Sequence, residues 1–131
     1  MKYFKLLIIS VFFLSVSAVS FAQSDSAVKN IEPEVLNTVL NNATVQLVDV
    51  RTPNEFKSGH IDKALNINYY DQDFSVQIGK LDKSKAIYVY CRSGVRSKYA
   101  SDILKKLGFK EIYNLNGGIL SWNTQNLPLK K

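Results

Sequence analysis

The stretch "AIYVYCRSGVRSKYASDILKKLG" (residues 86–108) changes character twice. Ala86 to Tyr90 is a β-rich apolar run that predicts a strand, and residues 97–107 form an amphipathic run that predicts a helix, stopped by Gly108. Between them lies Cys91-Arg92-Ser93-Gly94-Val95-Arg96, which holds the only cysteine of the chain. A strand that feeds through a short loop into a helix is the repeating element of an α/β fold.

The same alternation extends outward from this stretch. Pro33 suits a first helical position, and Val35, Leu36, Val39 and Leu40 recur at helical spacing, predicting a helix to about Asn41. "VQLVDV" (45–50) lacks alternation and reads as a strand buried on both faces. A short segment at 55–58 follows the turn-prone "RTPNEF", and "GHIDKALNI" (59–67) ends in a brief strand. A helix is expected over residues 71–81, a strand at "EIYNL" (111–115), and a last helix after Gly117-Gly118 that carries Ile119 and Trp122. These elements predict a three-layer α/β domain, a central mostly parallel β-sheet flanked by helices. In such sheets ligands bind at the carboxyl ends of strands, which is where Cys91 falls.

The chain has 131 residues and a net charge of +6. Lys2 and Lys5 precede an uncharged stretch, Leu6 to Phe21, and Ser20-Phe21-Ala22 offers small residues at the two positions a signal peptidase reads. Residues 1–22 are therefore expected to be a signal peptide, 23–29 a flexible lead-in, and 30–131 the folded domain, acting in the periplasm or outside the cell. The apolar stretch is shorter than the ~20 residues of a membrane-spanning helix, so no stable membrane insertion is expected after cleavage. Of 17 Lys and Arg, fifteen remain without Lys2 and Lys5; against eleven Asp and Glu the net charge is +4. That mild excess, without a Lys/Arg block interleaved with aromatics, predicts no nucleic-acid partner. A single cysteine makes no internal disulfide, so stability rests on the core.

A lone cysteine is by composition most simply a small buried hydrophobe. Its surroundings argue otherwise. Between a strand end and a helix N-terminus it meets free backbone N–H groups and the positive end of the helix dipole, and both favour the thiolate. Gly94 permits a positive φ, by which successive N–H groups converge on one anionic point. Arg92 and Arg96 add bidentate donors suited to an oxyanion. The loop reads as an anion cradle with a nucleophile at its floor.

With "VDVRTPNEFKSGHIDKALNI" (48–67) before it and "LNGGILSW" (115–122) after it, the loop "CRSGVRS" (91–97) resembles the rhodanese family of sulfurtransferases. The resemblance covers about residues 30–128 and, with the leader, is closest to single-domain periplasmic thiosulfate sulfurtransferases of the phage-shock type. It implies that Cys91 accepts a sulfane sulfur as a persulfide held by the loop amides, with Arg92, Ser93, Gly94, Val95, Arg96 and Ser97 binding substrate. The implied donor is thiosulfate or another sulfane-sulfur compound, and the implied acceptor is cyanide, a small thiol or a protein thiol. No metal or organic cofactor is implied.

The related loop of cell-cycle tyrosine phosphatases and one class of arsenate reductases is Cys-x5-Arg, whereas Cys91 to Arg96 is Cys-x4-Arg. A tighter ring of amides suits one sulfur atom, and a phosphatase also needs a general acid for its leaving oxygen. The only histidine, His60, sits in "SGHI", a structural motif of rhodaneses, and has no second His or further Cys with which to bind a metal. Sulfur transfer is therefore preferred over phosphate or arsenate chemistry, with a non-enzymatic sulfur carrier or partner-binding module as the alternative. Asp49, Arg51 and Glu55 are expected to support the site: Asp49 ties loop backbones together at a strand end, and Arg51 pairs with Glu55 beneath the loop, since half-buried charges survive only with partners.

Overall fold

The computed structural model describes residues 17–18 and 28–131. Apart from 17–18, the expected signal peptide lies outside the described residues, as do residues 23–27 of the expected lead-in. The elements run β1 (Val28–Ile31), α1 (Pro33–Asn42), β2 (Gln46–Asp49), α2 (Pro53–Ser58), β3 (Leu65–Asn66), α3 (Phe74–Ile78), β4 (Ile87–Tyr90), α4 (Val95–Lys106), β5 (Ile112–Leu115) and α5 (Gly118–Thr124). The strands form one sheet in the order β1-β5-β4-β2-β3, and every neighbouring pair is parallel.

Strand β4 lies at the centre of this sheet, and all four of its residues are buried. Side chains alternate across a strand, so β4 feeds two cores. Ile87, Val89 and the following Cys91 pack on one face with Phe74 and Ile78 of α3 and Ala100 and Leu104 of α4. Tyr88 and Tyr90 pack on the other with Leu36 and Leu40 of α1 and Ile119 and Trp122 of α5. The result is the three-layer α/β architecture expected from the alternating pattern. It gathers the segments after β2, β4 and β5 at one edge of the sheet.

Several boundaries differ from the sequence reading, each for a local reason. The lead-in does not reach residue 29, because Val28 to Ile31 pairs in parallel with Ile112 to Leu115. Lys29 and Asn30 are exposed on this edge strand, so no apolar pattern marked it. The short segment at 55–58 belongs to α2, which starts at Pro53 behind a capping box: the Thr52 side chain accepts from Glu55 N, and Glu55 answers the Thr52 backbone. The helix expected over 71–81 shrinks to Phe74–Ile78, with Gly79 at its C-cap. Asp71 is in a turn, where its carboxylate accepts from the amides of Asn68 and Gln77. Helix α4 begins two residues early, at Val95, because Gly94 takes φ 104° and serves as its N-cap.

Leu104 is fully buried between α4 and the sheet, on the face that carries Cys91. Leu104→Ala should cost about 2–5 kcal/mol, as large-to-small core changes do. Urea unfolding measures it; a loss below about 1 kcal/mol would show that α4 is not anchored through this contact.

Candidate active site

The pleat of β4 turns Cys91 toward the N-terminus of α4, where it is 1% exposed. The left-handed backbone at Gly94 then folds the chain over it. Gly94 N–H donates to Sγ at 3.1 Å, and the buried Ser97 hydroxyl lies 3.3 Å from Sγ and 3.2 Å from the Gly94 carbonyl. Ser97 has one proton for two acceptors, so it shares or alternates between them.

The loop amides are aimed by what holds their carbonyls. Ile119 N–H donates to the Cys91 carbonyl at 2.9 Å and Leu120 N–H to the Arg92 carbonyl at 3.1 Å. These are N-terminal amides of α5, which have no acceptor within their own helix. In a trans peptide the N–H points opposite to the C=O, so the N–H groups of Arg92 and Ser93 face away from α5. The Gly94 carbonyl is likewise taken by Lys98 N–H at 3.1 Å and by Asn114 Nδ2 at 3.4 Å, which turns the Val95 amide the other way. Among the described residues, the amides of Arg92, Ser93, Val95, Arg96 and Ser97 donate to no protein acceptor. Amides left without acceptors in a loop that enters a helix are the kind of donors that can bind a small anion.

Close approach of α5 to the loop requires Gly118. A Cβ there would stand 2.6 Å from the Cys91 carbonyl oxygen and closer still to the Arg92 carbonyl, and its φ of 62° disfavours other residues.

The charges pair differently from the expectation. Arg51 pairs with Asp49, not Glu55: Nε lies 3.0 Å from both Asp49 oxygens and Nη2 lies 2.7 Å from Oδ2. Arg51 Nη2 also donates to the Gly59 carbonyl at 2.7 Å, and Asp49 accepts from Arg51 N–H, so this buried pair ties β2 to the 59–61 turn. Two residues of separation and a shared burial site favour this partner over one on the α2 surface. Glu55 instead forms a bidentate pair with Arg96, at 2.7 and 2.9 Å. That hydrogen bonding holds the Glu55 carboxyl at about 2, below its ordinary 4.5. Two of the Arg96 donors are therefore committed to the protein, while Arg92 is exposed and has no acidic partner among the described residues.

Of the other predicted site residues, Ser93 is exposed on the loop, Val95 is exposed at the start of α4, and His60 is held against α2. The His60 ring stacks on Phe56 at 3.8 Å with Nδ1 3.0 Å from the Phe56 carbonyl, and its backbone bridges to Lys130. Three contributors went unread in the sequence. Asn114 is buried in β5 beside Gly94, with Oδ1 unpartnered. Tyr90 accepts from Ile61 N–H at 3.0 Å, and burial first, then Asp49, pushes its hydroxyl above the usual tyrosine range. Tyr70 lies under Arg96, whose Cζ is 5.6 Å from the ring centre. An asparagine inside the apolar run "EIYNL" was the one visible signal among them.

Two expectations follow from this geometry. Gly118→Ala should push the Cys91 and Arg92 carbonyls aside and slow iodoacetamide alkylation of Cys91 by roughly tenfold or more; an unchanged rate would show that α5 does not set the loop. The lowered Glu55 carboxyl contributes stability that is present above its ordinary 4.5 and is lost as pH falls toward about 2. Urea unfolding from pH 6 to the acid limit should thus show less acid destabilisation in Glu55→Gln than in the wild type, together with lower stability at neutral pH. Parallel profiles would contradict the pairing.

Comparison with known proteins identifies the family of this domain. The family model described as a rhodanese-like domain matches residues 32–125. A thiosulfate sulfurtransferase, GlpE, of Shewanella oneidensis is 34% identical over 101 residues, covering 77% of this chain and 98% of that protein. A tRNA uridine(34) hydroxylase of Pelagibacter ubique is 32% identical over 104 residues, covering 79% of this chain but 35% of that protein. The crystal structure of a rhodanese-related protein from Thermoplasma volcanium superposes with a TM-score of 0.69 at 28% identity, covering 78% of this chain and 97% of that one. A parallel sheet with Cys91 cradled after its central strand, matched in sequence over most of the domain, places this chain in the rhodanese-like domain family.

Proposed function

We propose that the protein is a sulfurtransferase that moves a sulfane sulfur from thiosulfate, or a related donor such as a polysulfide, to a thiophilic acceptor through a persulfide on Cys91. Family membership supports sulfur transfer in general. The observation that carries the finer reading is the loop that follows Cys91, in which Gly94 N–H donates to Sγ at 3.1 Å while the amides of Arg92, Ser93, Val95, Arg96 and Ser97 have no acceptor among the described residues. Only four residues separate Cys91 from Arg96, which favours one extra sulfur atom over a tetrahedral phosphate or arsenate.

In the first half-reaction the Cys91 thiolate attacks the outer sulfur of thiosulfate. The donor S–S bond breaks and sulfite leaves with its electron pair. Arg92 is free to meet the sulfonate, while Arg96, held by Glu55, contributes fixed positive charge at the loop. In the second half-reaction a thiolate or cyanide attacks the outer persulfide sulfur, and Cys91 departs as thiolate. Both steps are polar displacements that need neither metal nor organic cofactor. Ser97 and the loop amides stabilise negative charge on either sulfur, so one cradle serves both steps.

The leader-like residues 1–22 support action in the periplasm or outside the cell. Intact mass spectrometry of protein recovered from producing cells tests both readings. The expected chain starts at Gln23 and, after thiosulfate, gains about 32 Da, roughly one sulfur atom, which cyanide removes as thiocyanate. Cys91→Ser should show neither gain nor product. An adduct without thiocyanate turnover would favour a sulfur carrier. No adduct, or turnover of an aryl phosphate, would overturn the proposal, and retention of residues 1–22 would overturn export by cleavage.

A further inference from the structure

Eight large apolar side chains are exposed on the described domain, and four of them lie on segments that adjoin the Cys91 loop. Val95 opens α4 directly after the loop, and Tyr99 follows it by one turn. Leu120 is the residue whose N–H holds the Arg92 carbonyl, and Tyr70 lies against Arg96. These four are 41–64% exposed. Arg92 and Lys98 stand among them, both exposed and without an acidic partner among the described residues.

Thiosulfate makes no use of such a collar, since amides and cations suffice for a small dianion. Exposed apolar groups gathered at one site, with charge at their rim, mark a surface that is covered in a complex. Sγ is itself almost inaccessible, so only a slender group at the tip of a protruding segment reaches it.

We infer that this collar docks a protein partner that presents its acceptor cysteine on a protruding segment flanked by apolar and acidic side chains. The apolar flanks cover Leu120, Val95, Tyr99 and Tyr70, and the carboxylates meet Arg92 and Lys98. The partner thiolate attacks the outer sulfur of the Cys91 persulfide; that S–S bond breaks, Cys91 leaves as thiolate, and the partner carries the new persulfide with no net oxidation. The inference rests on the persulfide reading of Cys91.

The test loads the protein with thiosulfate, removes sulfite, and follows loss of the adduct on mixing with two peptides. One is acetyl-Asp-Leu-Cys-Leu-Asp-amide and the other acetyl-Lys-Ser-Cys-Ser-Lys-amide, with each rate divided by that peptide's thiolate concentration. The acidic, apolar peptide should react roughly tenfold faster or more. Lys98→Glu should shrink that preference, as should Tyr99→Gln, which keeps the wild-type rate toward cyanide. Should Tyr99→Gln fold poorly, Lys98→Glu carries the same comparison. Equal rates for the two peptides, or a preference unmoved by the variants, would overturn docking while leaving the persulfide intact. Failure to load any adduct would instead overturn the reading on which the inference rests.

Discussion

Two backbone hydrogen bonds govern this molecule: Ile119 N–H to the Cys91 carbonyl and Leu120 N–H to the Arg92 carbonyl. A helix N-terminus has amides to spare, and a loop leaving a strand has carbonyls to spare. Joining them satisfies both and turns the N–H groups of the same peptides away from α5. The donor-rich face of the loop is thus a by-product of capping α5. Gly118 is required because only a residue without Cβ brings the two backbones together.

Charged side chains complete the frame by pairing with each other. Asp49 and Arg51 are buried and fix the segment after β2 against the 59–61 turn. Glu55, placed by its capping box with Thr52, reaches across to Arg96 at the start of α4. Removing one member of a buried pair strands the other and costs about 3–5 kcal/mol, so Asp49 and Arg51 serve the site by holding position. Among the described residues, Arg92 is left as the loop cation without such a tie.

Much of this was legible in the sequence because its signals are local. The β-rich run before Cys91, the glycine at 94 and the amphipathic run after it each act within a few residues of themselves. The strand after the lead-in was illegible because Lys29 and Asn30 have no strand pattern and are held by pairing with β5. Charge partners were misjudged for a related reason: Glu55 lies close to Arg51 in the chain, yet its partner Arg96 is brought by the packing of α4. The Thr52-to-Glu55 capping box was readable and would have marked α2. Asn114 was a visible anomaly in an apolar strand, but only the fold shows that it lies beside the Gly94 carbonyl.

The amide ring makes a demand on atomic positions that rate measurements alone do not test. A crystal structure of protein treated with thiosulfate, with data collected to give anomalous scattering from sulfur, addresses it directly. The cradle reading predicts one additional sulfur bonded to Cys91 Sγ, within hydrogen-bond reach of the loop amides between Arg92 and Ser97, and the Glu55–Arg96 pair unbroken beside it. A bare Sγ beneath a bound tetrahedral anion, or an added sulfur turned away from those amides, would contradict it.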